Sequence, residues 1–155
     1  AYALTRRRKK RVARRDDASA APATEQVIAA HQLDKFTFNP HFPINTIMLM
    51  RGFIAAQQLG VVDDYVAVNL SAMWEQEQNM GDPEVAAGVW QSAGLDAAAL
   101  VEAIQTQPVK DALLHNTQQA AERGAFGIPT FFVGDEMFFG KERIIQIEEM
   151  IQQSG

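Results

Sequence analysis

The sequence contains no cysteine. This absence excludes disulfide bonds, cysteine zinc ligands, a paired-cysteine redox centre and a cysteine nucleophile. Histidine is also scarce, and His31, His41 and His115 are far apart, with no metal-ligand spacing. We therefore expect no metal site. We interpret His115, in a polar helical stretch, as a solvated side chain rather than a catalytic one.

Long hydrophobic runs are missing as well. No stretch approaches the roughly 20 apolar residues of a membrane-spanning helix, and no short apolar run follows the N-terminal charges, as a secretory signal requires. With 155 residues, 47% of them hydrophobic, the chain has the length and composition of one globular domain. These features predict a soluble, cytoplasmic protein with no membrane partner.

The net charge of −5 combines two different parts of the chain. Residues 1–17 contain eight Arg or Lys and two Asp, a net charge of +6, whereas the remainder carries −11. The basic run 6–15 is compatible with a nucleic-acid-binding arm or a targeting address, because clustered cations displace phosphate counterions. No aromatic residues interleave with these charges. We therefore predict that residues 1–26 form a disordered, solvated segment rather than a binding arm. If the chain binds nucleic acid, we expect residues 6–15 to make the contact.

Residues 27–123 show the start and stop signals of a helical domain. The segment 36–45, FTFNPHFPIN, predicts a short extended piece and a two-proline loop, since a residue before proline is pushed out of the α conformation. Five helices with short connections follow. They are NTIMLMRGFIAAQQLG ending at Gly60, DDYVAVNLSAMWEQEQNMG capped by Asp63 or Asp64, GDPEVAAGVWQSAG between Asp82 and Gly94, LDAAALVEAIQ starting at Asp96, and PVKDALLHNTQQAAERG ending at Gly124.

The pattern changes in residues 124–155. GIPTFFVG has the composition and length of a strand, GDE predicts a turn, and EMFFG resumes the strand. KERIIQIEEMIQQ is an amphipathic helix, with Ile144, either Ile147 or Ile145, and either Met150 or Ile151 expected to face inward. Because two strands alone form a marginal sheet, we expect further strands to complete it.

Three motifs carry a resemblance to a known family: FNPHFPINT at 38–46, GDPEV at 81–85 and RGAFGIPTFFVGDEMFFGKERI at 123–144. Through them residues 27–155 resemble the 2-hydroxychromene-2-carboxylate isomerases, which group with kappa-class glutathione transferases and DsbA-like proteins. The resemblance implies an α/β thioredoxin-like fold with a large helical insertion, in which 124–155 form the C-terminal half of the thioredoxin-like part. It also implies glutathione as cofactor, a small aromatic substrate from aromatic catabolism, and a homodimer.

The resemblance places the cysteinyl part of glutathione at Ile128 and Pro129. A cis bond between them, as in the family, would turn the backbone N–H and C=O of Ile128 outward, where they can pair with an extended ligand. The alternative is that Pro129 only starts a strand, where its missing donor does no harm.

Four residues that open the last helix, Phe139, Gly140, Lys141 and Glu142, are placed by the resemblance at the γ-glutamyl end of glutathione. Free N–H groups at a helix start favour an anion, and Glu142 can pair with the amine of the same group. Relatives have a small or amide residue followed by Asp where this chain has Lys141 and Glu142. The alternative is that Glu142 only complements the helix dipole.

Asn45, Met48 and Trp74 are candidates for contact with the aromatic substrate. Each has a structural alternative: Asn45 is the preferred cap of the first helix, and Met or Trp at helical spacing is typical of a core.

The family mechanism uses a glutathione thiolate, which a serine on a Ser-Pro turn near the N-terminus helps to stabilise. The serines here are Ser19, Ser71, Ser92 and Ser154, and none precedes a proline, so the catalytic residue stays unassigned. About 26 residues cannot hold the family's first strand, helix and second strand, and we expect a truncated chain. The functional hypotheses are therefore a glutathione-dependent isomerase, a kappa-type glutathione transferase, and an inactive remnant or basic-arm binding protein.

Overall fold

The computed structural model describes Glu25, Ile28, Ala29 and residues 31–154, with the Ser154 side chain excepted. The predicted basic segment 1–26 lies outside the described residues, Glu25 apart. So does the exact start of the predicted helical domain.

Five helices form the body of the described chain, as the sequence predicts. They are α1 (Ile47–Leu59), α2 (Val62–Trp74), α3 (Pro83–Ser92), α4 (Ala97–Gln105) and α5 (Gln107–Glu122).

The predicted helix ends follow from local chemistry. Asp82 caps α3 by accepting a hydrogen bond from the Glu84 N–H at 2.9 Å, and Asp96 caps α4 by accepting one from the Ala99 N–H at 2.9 Å. Beyond α1, Gly60 takes a positive φ of 73°, and its N–H returns to the last helical carbonyls. These starts and stops are confirmed.

Helix α2 differs from its prediction at both ends. Asp63 and Asp64 lie inside the first turn, and the residue before the helix, Val61, makes no side-chain capping bond. The two carboxylates complement the helix dipole instead of capping. The helix ends at Trp74 rather than near Gly81, because its last carbonyls are engaged by a segment distant in sequence.

That segment is the two-proline loop, which a buried asparagine fastens to the end of α2. Asn39 is 0% exposed, and its Nδ2 donates to the carbonyls of Met73 and Gln78, both at 2.8 Å. Its Oδ1 accepts the His41 N–H at 2.8 Å. The Thr37 N–H adds a bond of 2.7 Å to the Trp74 carbonyl. A fully satisfied buried amide of this kind fixes one arrangement of the loop.

The helical core is built around two aromatic side chains, Tyr65 of α2 and Trp90 of α3. Their rings lie 5.5 Å apart, and the Tyr65 hydroxyl donates to the Leu49 carbonyl of α1 at 3.0 Å. Gly52 permits this approach, because a Cβ there would overlap the Tyr65 hydroxyl. These contacts therefore fix how α1, α2 and α3 pack against one another.

The chain ends in a hairpin and a helix. Strands β1 (Thr130–Val133) and β2 (Glu136–Phe139) are antiparallel, with Thr130 opposite Phe139, and they make up a two-stranded sheet within the described residues. A 3-10 turn, Lys141–Arg143, leads into α6 (Ile144–Ser154). Further strands to complete this sheet stay a prediction.

One part of the prediction for α6 is wrong. Ile147 and Met150 are half-buried, but Ile144, Ile145 and Ile151 are exposed. The inward face is narrower than the apolar pattern suggests, because the described chain packs little against this helix.

Replacing Asn39 by Ala should lower the free energy of unfolding by about 2–4 kcal/mol, because the buried Met73 carbonyl and the partly buried Gln78 carbonyl and His41 N–H lose their partner. Urea unfolding followed by circular dichroism measures this loss. The matched control is Asn116→Ala, since Asn116 is exposed and makes no side-chain hydrogen bond. Equal losses in the two variants would contradict the role given to Asn39.

Candidate functional site

An exposed peptide edge stands at Ile128, immediately before β1. The Ile128 residue is 93% exposed, its bond to Pro129 is cis, and its backbone N–H and C=O make no hydrogen bond to another described residue. Its neighbours are anchored. The Gly127 carbonyl accepts the Thr130 hydroxyl at 2.7 Å, and the Pro129 carbonyl accepts the Gly140 N–H at 3.0 Å. The free peptide edge is therefore held between two fixed points.

The start of the last helix lies directly beside this edge. The Gly140 N–H bond to Pro129 brings the two segments together, and Gly140 has φ 103° and ψ 147°, a conformation that L side chains rarely adopt. A Cβ at Gly140 would also overlap the Glu142 carboxylate. The Glu142 carboxylate is thus folded against the helix start. The N–H groups of Lys141 and Glu142 donate no hydrogen bond to a backbone carbonyl.

One aromatic pair and one arginine attach the hairpin to the chain at the end of α5. The Phe126 and Phe139 rings lie 4.5 Å apart. The Arg123 guanidinium donates to the Gly134 carbonyl at 3.0 Å and stands 3.7 Å over the Phe132 ring. Sequence reasoning missed this function of Arg123. An Arg at a helix end is ordinary, and only the fold brings it over the hairpin.

The candidate cofactor residues therefore fall into one continuous site. Ile128 and Pro129 form its edge, Gly140 and Glu142 close one side, and Phe139 packs its ring beside Gly127. Lys141 is exposed at the helix start and makes no side-chain hydrogen bond. Whether these residues hold glutathione stays a prediction.

The three candidate substrate residues lie elsewhere, in the helical body. The Asn45 Oδ1 accepts the Ile47 N–H at 3.0 Å at the start of α1, Met48 packs against the helical core, and Trp74 lines an apolar cleft. No hydrogen bond or ring contact of the described residues joins these three to the Ile128 site.

The serines that the structure describes are also in the helical body. The Ser71 hydroxyl donates to the Glu75 carboxylate at 2.6 Å, and Ser92 is exposed at the end of α3. Ser19 and the side chain of Ser154 lie outside the described residues. Within the part of the chain that is described, no helix is long and apolar enough to cross a membrane. No three potential metal ligands come together there either.

The architecture agrees with comparison to known proteins. The model of the DSBA-like thioredoxin domain family matches residues 22–152. The chain belongs to this family.

Relatives of the DSBA-like chain include 2-hydroxychromene-2-carboxylate isomerases. That of Pseudomonas sp. (strain C18) is 31% identical over 87 residues, which cover 56% of this chain and 41% of the relative. That of Pseudomonas putida is 31% identical over 84 residues, 54% of this chain and 41% of the relative. The chain thus spans about two fifths of the length of these curated relatives.

A solved structure of a 2-hydroxychromene-2-carboxylate isomerase shares the fold. The TM-score is 0.63 at 24% sequence identity, over 88% of this chain and 68% of that one. The predicted thioredoxin-like fold class and the resemblance to this family are therefore confirmed.

Replacing Gly140 by Ala should weaken the hydrogen bond that joins the two ends of the hairpin. The new methyl group would overlap the Glu142 carboxylate, and alanine rarely adopts the positive φ of this position. We expect protection of the amide at position 140 from hydrogen exchange to fall about tenfold or more, for a local cost of about 1–3 kcal/mol.

The control for this change is Gly88→Ala, because Gly88 lies in helix α3 with open space around it. There alanine should stabilise the helix by about 0.5–1 kcal/mol. Unchanged exchange at position 140 in the Gly140 variant would show that this glycine does not hold the site.

Proposed function

We propose that this chain carries the glutathione-binding part of a glutathione-dependent isomerase of the 2-hydroxychromene-2-carboxylate isomerase type. The observation that carries the proposal is the unpaired Ile128 peptide edge beside the Gly140–Glu142 helix start. The names of the relatives support the reaction type.

The chemistry of the site fits the cysteinyl and γ-glutamyl parts of glutathione. An extended peptide ligand can pair with the free N–H and C=O of Ile128 as an added strand. A terminal carboxylate fits the N–H groups at the start of the 3-10 turn and α6, where the helix dipole favours negative charge. Glu142 supplies an acceptor for the adjacent ammonium group. Charge and hydrogen-bond type agree at each of these three points.

The bound cofactor would supply a thiolate that adds to a conjugated double bond of an aromatic substrate, permits rotation about the resulting single bond, and is eliminated unchanged. The contribution of Ile128, Pro129 and Glu142 is to bind and orient the cofactor. Lowering a thiol pKa from its free value near ~8.5 requires additional hydrogen-bond donors. None of the described serines lies at this site. A homodimer and a cytoplasmic location stay predictions.

The Glu142→Gln variant should bind glutathione about three- to tenfold more weakly, because the amide cannot neutralise the ligand's ammonium group. Isothermal titration calorimetry of the full chain measures the change. Glu149→Gln, an exposed carboxylate further along α6, is the control and should bind as the parent does. A loss of the same size in both variants would indicate a general charge effect and contradict the specific function of Glu142.

The reaction itself is tested on the purified 155-residue chain by following interconversion of the chromene carboxylate and its open benzylidenepyruvate form, with and without glutathione. We expect a glutathione-dependent rate with no net consumption of the cofactor. A product that retains glutathione would indicate a kappa-type transferase instead. Absence of both glutathione binding and turnover would overturn the proposal.

A further inference from the structure

An open groove lies between α2 and α3, with a volume of about 840 Å³. Helix α2 supplies Ala67, Val68 and Ser71 to its lining, and α3 supplies a row of small or apolar residues. That row consists of Val85, Gly88, Val89 and Ser92. No charged residue lines the groove. Its floor is therefore a surface that the aliphatic part of a long side chain can cover.

Gly88 keeps the middle of the groove open. It is exposed and lies inside α3, and a Cβ at this position would meet no atom within 4 Å. A glycine inside a helix costs about 1 kcal/mol relative to alanine. No contact with the described residues requires the missing side chain, so the space above Gly88 is free for another segment of polypeptide.

A second cleft continues the groove toward the place where the continuous description of the chain begins. Its volume is about 540 Å³, and it shares Ala67 and Ser71 with the groove. Residues 32–36 form another part of its wall. Because residue 31 starts the continuously described chain, the segment that precedes it enters the helical body beside the groove.

Three acidic side chains stand around the groove. Asp64 and Glu75 lie on the same stripe of α2 as Ser71, since residues three or four positions apart share a helix face. Glu84 lies one turn before Gly88 on α3. The three carboxylates are exposed, and they form no ion pair with a described residue. They are therefore available to cations from another segment.

The chain itself contains a segment of the opposite charge. Residues 52–109 hold eight Asp or Glu and no Lys, Arg or His, whereas residues 6–15 hold eight Arg or Lys and no Asp or Glu. Residue 15 is 16 positions before residue 31, a reach of roughly 50 Å for an extended chain. A linked segment acts at an effective concentration on the order of millimolar. Linkage and charge thus both favour this segment as the occupant of the groove.

We propose that residues 6–15 dock across the groove between α2 and α3 of the same chain, with Arg and Lys head groups beside Asp64, Glu75 and Glu84. The stems of these side chains cover the uncharged floor, and their charges stay in water next to the carboxylates. Docking neutralises part of the acidic body and withholds the basic segment from nucleic acid. The inference is independent of glutathione binding.

The test uses a nitroxide label on the full chain. Because the sequence contains no cysteine, Ala13→Cys provides one labelling site in the middle of the basic segment. In a ¹⁵N-labelled sample we expect the nitroxide to broaden the amide signals of Ser71, Gly88 and Ser92, and to leave that of Thr117 on α5 sharp. Salt at about 0.5 M should reduce the broadening, because the Debye length falls to roughly 4 Å.

Two variants of the groove separate its charge from its shape. Asp64→Asn, Glu75→Gln and Glu84→Gln, combined in one chain, should reduce the relaxation effect of the nitroxide on the groove amides about threefold or more. Gly88→Leu places a side chain in the open space of the groove and should reduce the effect to a similar extent.

Matched controls make the same chemical changes in other parts of the chain. Glu102→Gln, Glu122→Gln and Glu136→Gln, combined in one chain, remove three exposed carboxylates outside α2 and α3. Ala98→Leu adds an exposed leucine to α4. Both controls should leave the broadening of the groove amides unchanged. Circular dichroism should show the parent's helix content for every variant.

Four results would overturn the inference. The first is no broadening at the groove amides, and the second is broadening that Gly88→Leu leaves unchanged. The third is equal broadening when a ¹⁵N-labelled chain without nitroxide is mixed with nitroxide-labelled copies, because a second copy would then supply the segment. The fourth is binding of duplex DNA through residues 6–15 with the groove amides sharp before DNA is added. Broadening that the triple carboxylate variant leaves unchanged would overturn the function given to the three carboxylates.

Discussion

The buried amide of Asn39 is the constraint on which the helical body depends. It lies 34 residues from Met73 in sequence, yet its hydrogen bonds fasten the two-proline loop to the last turn of α2. The loop carries Phe36, Phe38 and Phe42, and α2 ends with Trp74. This amide, together with the Thr37 N–H bond to the Trp74 carbonyl, keeps the three phenylalanine rings of the loop beside Trp74.

The hairpin end of the chain is held differently, by contacts between elements close in sequence. The Pro129 carbonyl and the Gly140 N–H join the two ends of the hairpin, and Arg123 ties its turn to the end of α5. These contacts leave the Ile128 peptide edge free and the start of α6 beside it. The helical body and the hairpin therefore supply two kinds of surface: one apolar and aromatic, the other a backbone edge with a helix start.

The sequence predicted best what local chemistry decides. Asp82 and Asp96 cap their helices, and Gly60 ends α1, because capping and positive φ depend on a few adjacent residues. The motif around Ile128 and Pro129 predicted the hairpin and the helix after it. The bounds of β1, β2 and α6 agree with this prediction, and so does the match to the DSBA-like thioredoxin domain family.

What the sequence could not predict depends on distant partners. The early end of α2 follows from Asn39, and the exposure of Ile144 follows from how little of the described chain packs on α6. Asp63 and Asp64 had the composition of a cap but lie two and three residues beyond the N-cap position, Val61. The capping contact of Asn45, by contrast, was predicted, because it depends on a residue only two positions away: its Oδ1 accepts the Ile47 N–H at 3.0 Å.

The central claim is that the Ile128 edge and the Glu142 helix start together hold glutathione. A backbone-amide NMR titration of the full chain with glutathione tests it most directly. The account predicts saturable shifts concentrated at the amides of Ile128, Lys141 and Glu142, with the amides around Trp74 unchanged. Shifts that are absent, or confined to the helical body, would contradict it.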